Sequence, residues 1–140
     1  MVLLLAATLL YFGIVFGTGF VLGPFRVFVL EPPLGATISV LCEAPVLVAV
    51  MIVAARWLPR KLHMPLTVPA LTIMGLGALA LQQLADFAVG IILRQMTPAQ
   101  ILANFATPAG AIYALSLVAF AAMPLVVNRR NLAVHIRHKS

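Results

Sequence analysis

The sequence predicts an all-α integral membrane protein, a four-helix bundle with a short interfacial helix between spans three and four. The chain has 140 residues, of which 64% are hydrophobic and only 9% are charged, whereas soluble domains of this length carry far more charge. Apolar runs longer than about 18 residues recur along it, which is enough for helices to cross a bilayer. These runs lack the polar–apolar alternation of barrel strands, so the spans are expected to be helical.

The first span is predicted over residues 2–23, or over 2–30 with a kink at Pro24. It is interpreted as a retained span, because a basic n-region and a small-residue cleavage site are not found around it. Glycines four residues apart let a second helix approach closely, so this span is expected to pack through two such pairs. The glycines are Gly13, Gly17, Gly19 and Gly23.

The second span is predicted over residues 37–58, after a break at residues 31–35 (EPPLG), where neither proline can donate a hydrogen bond. It contains Glu43 and, two residues later, Pro45. A carboxylate in hydrocarbon is costly, and Pro45 frees the carbonyl of Leu41. The chain is therefore expected to supply polar partners from its other spans.

The third span is predicted over residues 66–93 and the fourth over residues 109–127. Between them, Thr97-Pro98 is a helix-start signal for a helix over residues 99–106, too short to span and expected at the interface. Thr107-Pro108 repeats the signal before the fourth span. Residues 1–127 then form one transmembrane domain, and residues 128–140 form a basic cytoplasmic tail.

Lysine and arginine collect at one set of span ends. That set is Arg56, Arg60, Lys61, Arg129, Arg130, Arg137 and Lys139, with Trp57 beside it as an interfacial anchor. The opposite ends carry only Arg26 and Arg94. The positive-inside rule places both termini in the cytoplasm of a bacterial inner membrane. The net charge of +6 thus serves topology and lipid headgroups, and nucleic acid is not an expected partner.

Four polar residues form the candidate site: Arg26, Glu43, Gln82 and Asp86. At 1.5 Å per residue, Glu43 and Asp86 lie roughly 9 and 12 Å below the outer span ends, at similar depth. Gln82 and Asp86 share a face of span three with the small residue Gly75. We expect this face to pack against the Glu43 face of span two, with Arg26 reaching down as the counter-ion.

Two interpretations of this cluster stay open. The charges either hold the helices in register, or they form a polar pocket, open to the outside, for a proton, a cation or a small polar ligand. We find no nucleophile–base pair, phosphate loop or cofactor motif, and no cofactor is expected. His135 and His138 are three residues apart, but without a nearby carboxylate or cysteine they predict no metal site.

Four short pieces carry a resemblance: residues 19–26 (GFVLGPFR), 43–45 (EAP), 55–57 (ARW) and 105–110 (FATPAG). Together they resemble a group of small four-span bacterial inner-membrane proteins, which implies an architecture and no chemistry. The acidic residue shortly before Pro45 is similar to span two of the membrane-associated eicosanoid and glutathione metabolism proteins. The arginine and asparagine that precede it in that family are not found here.

Three functions follow as expectations. The first is a non-enzymatic accessory or structural subunit, or a small homo-oligomer, whose partners are the lipid bilayer and other membrane helices. The second is a small transporter or channel that uses Glu43 and Asp86. The third, implied by the second resemblance alone, is a glutathione-linked membrane enzyme.

Overall fold

The computed structural model describes residues 1–138, apart from the side chain of His135, and every regular element in that part is helical. The helices are α1 (Val2–Phe25), α2 (Glu31–Leu34), α3 (Ala36–Lys61), α4 (Val68–Ile92), α5 (Pro98–Asn104) and α6 (Pro108–Arg137), and a π-helical segment (Arg26–Leu30) joins α1 to α2. Within these residues, four helical stretches are long and apolar enough to cross a membrane: Val2–Leu34, Ala36–Lys61, Val68–Ile92 and Pro108–Val134. The all-helical class and the number of candidate spans are therefore as predicted.

The long helices are arranged around a ring. Helices α1 and α6 each pack against both α3 and α4, which places α3 and α4 on opposite sides of the bundle. The buried rings of Tyr11 and Phe120 stack in the core with centroids 4.7 Å apart. The expectation that spans two and three pack face to face is therefore wrong, since α3 and α4 make no comparable contact.

The first span continues further than expected. The π-helical segment has a wider turn, in which the Glu31 N–H donates to the carbonyl of Arg26. Pro32 and Pro33 lie in the first turn of α2, where a missing N–H costs little. The expected break over residues 31–35 is confined to Gly35, whose φ of +82° favours glycine.

Helix α3 runs through Pro59 to Lys61 instead of ending at residue 58. Pro59 has no N–H, so it cannot donate to the carbonyl of Ala55 four residues earlier. The fully buried Asn128 replaces that donor, because its Nδ2 lies 3.0 Å from the Ala55 oxygen. A neighbouring helix thus satisfies the carbonyl, and the proline does not end the helix.

The same device operates in α6, which continues to Arg137 instead of ending at residue 127. Pro124 lies inside the helix and frees the carbonyl of Phe120. The hydroxyl of Tyr11 on α1 donates to that oxygen over 2.7 Å. Arginine, asparagine and histidine end an apolar run without ending a helix, so residues 128–137 extend α6 and are not a separate tail.

Most of the glycines that were predicted to mediate close helix packing do not do so. A Cβ at Gly75 would overlap the carbonyl of Ala121, so Gly75 is a packing glycine as predicted, but its close neighbour is α6 and not the second span. A Cβ at Gly13, Gly17 or Gly23 would meet no atom within 4 Å. Gly19 is only in ordinary contact range of Leu47, at 3.8 Å. The glycine pairs of the first span therefore mediate no close packing within the described residues.

Both Thr-Pro start signals are confirmed. Thr97 and Gln100 form a reciprocal capping box at the start of α5, which ends at Asn104, slightly before the predicted residue 106. The Thr107 hydroxyl accepts from the N–H of Gly110 over 3.0 Å and caps α6. Helix α5 packs on α4, where Ile101 covers Gly90.

Candidate functional site

A cavity of about 810 Å³ lies between the four long helices, at the end of the bundle that carries α2 and α5. It reaches inward to the buried residues Val15, Met51 and Phe120. Exposed residues such as Phe28 and Arg94 stand at its rim, so it opens to the surface. Its size is within the range of about 300–1,000 Å³ that is typical of small-molecule sites.

The charge of this cavity is opposite to that of the whole chain. All three acidic side chains of the sequence line it, Glu31, Glu43 and Asp86, together with two of the nine cations, Arg26 and Arg94. With every group ionised, the lining carries a formal charge of −1, in a chain whose net charge is +6. We call this feature the acidic cavity.

Arg26 and Glu43 form the ion pair that the sequence predicts. The Nη1 atom of Arg26 lies 2.7 Å from Oε2 of Glu43, which is buried on α3. The Nε atom of Arg26 lies 3.4 Å from Oε1 of Glu31, a partner that the sequence analysis missed. Glu31 follows Arg26 by five residues. The π-helical segment brings residues at this spacing onto the same side, whereas a regular α-helix does not, so an α-helical pattern does not predict the contact.

Asp86 belongs to a second, separate group. The Nε2 atom of Gln82 donates to both of its oxygens over 3.1 Å, and the hydroxyl of Tyr113 donates to Oδ2. Among the described residues, no cation lies within ion-pair distance of Asp86. The predicted single Arg–Glu–Asp cluster is therefore two groups on different helices, which line one cavity.

Tyr113 is a site residue that the sequence analysis did not find. It lies one helical turn inward from Ala109 at the start of α6, and a lone tyrosine in an apolar run has no signal that points to a partner on another helix. Its ring lies 5.8 Å from that of Phe105, centroid to centroid. Further rings line the acidic cavity, namely those of Phe16, Phe20, Phe28, Phe87 and Phe120.

Several polar atoms of the lining lack a partner among the described residues. Oε1 of Gln82 and Nε2 of Gln83 are buried and accept or donate no hydrogen bond. Nε of Arg26 is within ion-pair distance of Glu31 but not in hydrogen-bond geometry. A buried polar atom without a partner costs about 1–3 kcal/mol, so side chains of the lining that turned these atoms toward the cavity would gain hydrogen bonds from a bound molecule.

Exposed basic residues lie at the other end of the bundle, which we call the basic end. They are Arg56, Arg60, Lys61, Arg129, Arg130 and Arg137, accompanied by the half-exposed Trp57. Lys139 and the side chain of His135 lie outside the described residues. Between residues 1 and 138, no three His, Cys, Asp or Glu side chains form a group that could hold a metal ion.

Comparison of the chain with family models, curated proteins and solved structures gave no match. Fold and site therefore define the class of protein by themselves. It is an all-helical chain with four apolar helices of membrane-spanning length and an acidic, aromatic-lined cavity at one end.

Proposed function

We propose that this chain is a non-enzymatic integral membrane protein that binds a small amphipathic molecule in the acidic cavity. The observation that carries the proposal is the cavity itself. It combines a drug-sized volume and apolar rings with buried polar atoms that have no partner within the described residues. A pair of charges that only held helices in register would need neither the volume nor the unpaired amides.

The outward faces of the bundle support membrane insertion. Leu84 on α4 and Leu115 and Val118 in the first half of α6 are 70%, 70% and 66% exposed. Water-exposed apolar surface of this extent is unusual, whereas hydrocarbon solvates it without cost. The basic end supports a bacterial inner membrane with both termini in the cytoplasm, so that the acidic cavity faces away from the cytoplasm. Helix α5, with Leu102 61% exposed, then lies at the far interface.

We further propose that a helix of a partner chain packs against α1. Gly13 and Gly17 are exposed on α1 and leave room for a closely packed neighbour. This favours the accessory-subunit or homo-oligomer role, which is compatible with ligand binding because neither glycine lines the acidic cavity. A glutathione-linked activity is less suitable, because glutathione carries two carboxylates and the cavity lining already has an excess of negative charge.

Ligand binding can be tested with a substitution that adds a side chain to the cavity lining without a clash with the protein. Gly23 lines the cavity and Gly13 does not, yet a Cβ at either meets no atom within 4 Å. Native mass spectrometry of the protein in lipid nanodiscs would measure binding of three probes of similar shape: triphenylphosphine oxide, tetraphenylphosphonium and tetraphenylborate.

We expect at least one probe to bind the wild type and Gly13→Leu alike, and to bind Gly23→Leu about tenfold more weakly, since the leucine occupies the site. Equal binding of the probes by both variants, or no binding by the wild type, would contradict the proposed function.

A further inference from the structure

We propose that the molecule bound in the acidic cavity is an organic cation, whose positive charge lies against the carboxylate of Asp86. This inference rests on the proposed function and adds the chemical class of the ligand.

The first step is the uneven distribution of counter-ions in the cavity. Arg26 is held between Glu43 and Glu31, so its charge is compensated within that group. Asp86 has only the neutral donors Gln82 and Tyr113 among the described residues. Arg94, the other cation of the lining, is exposed beyond the end of α4, and it forms no ion pair with Asp86. One carboxylate therefore faces the cavity without a counter-ion.

The second step is the field in the cavity. Its lining has a formal charge of −1, and walls of low dielectric concentrate the field of that charge inside. An anion would meet the unpaired charge of Asp86, whereas a cation would neutralise it. The wider positive charge of the protein lies at the basic end and is screened over that distance.

The third step is the lining around Asp86. The rings of Phe16, Phe20, Phe87 and Phe105 line the same cavity, and aromatic faces attract cations. Gln82 also lines the cavity, and its Nε2 donates to both oxygens of Asp86, which holds the carboxylate in place on the cavity wall. A bare metal ion would fill little of the 810 Å³, which favours a cation with substantial apolar bulk.

The test compares two ions of nearly the same size and shape and opposite charge, tetraphenylphosphonium and tetraphenylborate. Their dissociation constants would be measured for the wild-type protein in nanodiscs of neutral lipid. We expect the cation to bind at least about tenfold more tightly than the anion. Asp86→Asn should weaken cation binding about tenfold or more and remove the preference, while Asp86→Glu should retain it. Thr18→Val, outside the cavity, should bind as the wild type does.

Gln82→Lys gives a second variant, should Asp86→Asn fail to fold. It places a cation of the protein itself beside Asp86, so it should also remove the preference for tetraphenylphosphonium. The neutral triphenylphosphine oxide should still bind Asp86→Asn and Gln82→Lys, which would show that the cavity is intact in each variant.

A wild type that binds both ions equally, or prefers the anion, overturns the inference and leaves the cavity a ligand site. A cation preference that survives in Asp86→Asn and in Gln82→Lys overturns the role of Asp86. Failure of all three probes to bind the wild type overturns the proposed function itself.

Discussion

Single side chains decide where two of the long helices end. Prolines at positions 59 and 124 would ordinarily interrupt α3 and α6, because each leaves a carbonyl without its donor. Asn128 and Tyr11, both fully buried, donate to those two carbonyls from neighbouring helices. Where hydrocarbon surrounds the bundle, water cannot replace such a donor, so each hydroxyl or amide stabilises a helix other than its own.

We expect Tyr11→Phe to lower the free energy of unfolding by about 1–2 kcal/mol, because the Phe120 carbonyl loses its donor while the ring stays packed. In a Pro124→Ala background the loss should be smaller, since the alanine N–H supplies that carbonyl. Unfolding of the solubilised protein in denaturing detergent, followed by circular dichroism, measures both differences. Thr18→Val is the control, because the Thr18 hydroxyl bonds only within its own helix to Ile14. An equal loss in both backgrounds would argue against the capping role.

The ion pair of the acidic cavity predicts an asymmetry between its two partners. Arg26→Ala leaves Glu43 buried and uncompensated, which typically costs about 3–5 kcal/mol. Glu43→Gln keeps a hydrogen-bond acceptor for Arg26, whose charge Glu31 still compensates, so it should cost less. The same unfolding assay compares them, with Arg56→Ala at the exposed basic end as control. If the glutamine variant were the less stable of the two, the assigned roles would be reversed.

At the scale of elements, one point of contact sets how closely α4 and α6 approach. Gly75 of α4 lies against the backbone of Ala121, so close that no side chain fits between the helices. The spacing of glycines in the sequence does not by itself reveal which glycine lies at a close contact between helices. The four-residue glycine spacing of α1 is the more familiar packing signal, yet that face meets no described neighbour within 4 Å at Gly13 or Gly17.

Gly75→Ala should therefore destabilise the protein by about 1–3 kcal/mol, since the methyl group forces α4 and α6 apart. Gly13→Ala should change stability by no more than about 1 kcal/mol, because its methyl group meets no atom and alanine favours the helix. Thermal unfolding in one detergent compares these matched variants. A large loss for Gly13→Ala with none for Gly75→Ala would indicate that the close contact lies on α1, in an assembly of several chains.

For the whole molecule, charge is separated along the bundle axis. The three acidic side chains line one end, and most of the cations lie at the other. In a membrane this asymmetry would act on the chain twice. Cations resist translocation and orient the spans, while the carboxylates give the opposite end its own binding chemistry.

We expect a reporter that is active only in the cytoplasm to give a signal when it is fused to the C-terminus, and none when it is inserted within residues 31–35. The physical reason is the excess of Lys and Arg at the basic end, which stays on the cytoplasmic side. Fusion to the loop after Lys61 is a positive control at the same end. The reverse pattern of signals would overturn the orientation, and signals at all three sites would overturn the spans.

By itself, the sequence determined the properties that depend on local chemistry. Apolar runs specify helices of spanning length, and Thr-Pro pairs specify where α5 and α6 begin. Depth counting also placed Glu43 near the outer span end, within reach of the long side chain of Arg26, because a helix converts residue number directly into height. These inferences rest on residue number and side-chain length.

Only the tertiary structure decided what depends on neighbours. The sequence suggested that α3 and α4 face each other, yet α1 and α6 separate them, and Asp86 is left with Gln82 and Tyr113 instead of Arg26. Likewise, the second span was predicted to end before Pro59, because the sequence shows only that proline lacks an N–H donor, whereas α3 continues to Lys61. The replacement donor, Asn128, is distant in sequence, and packing alone brings it to the Ala55 carbonyl.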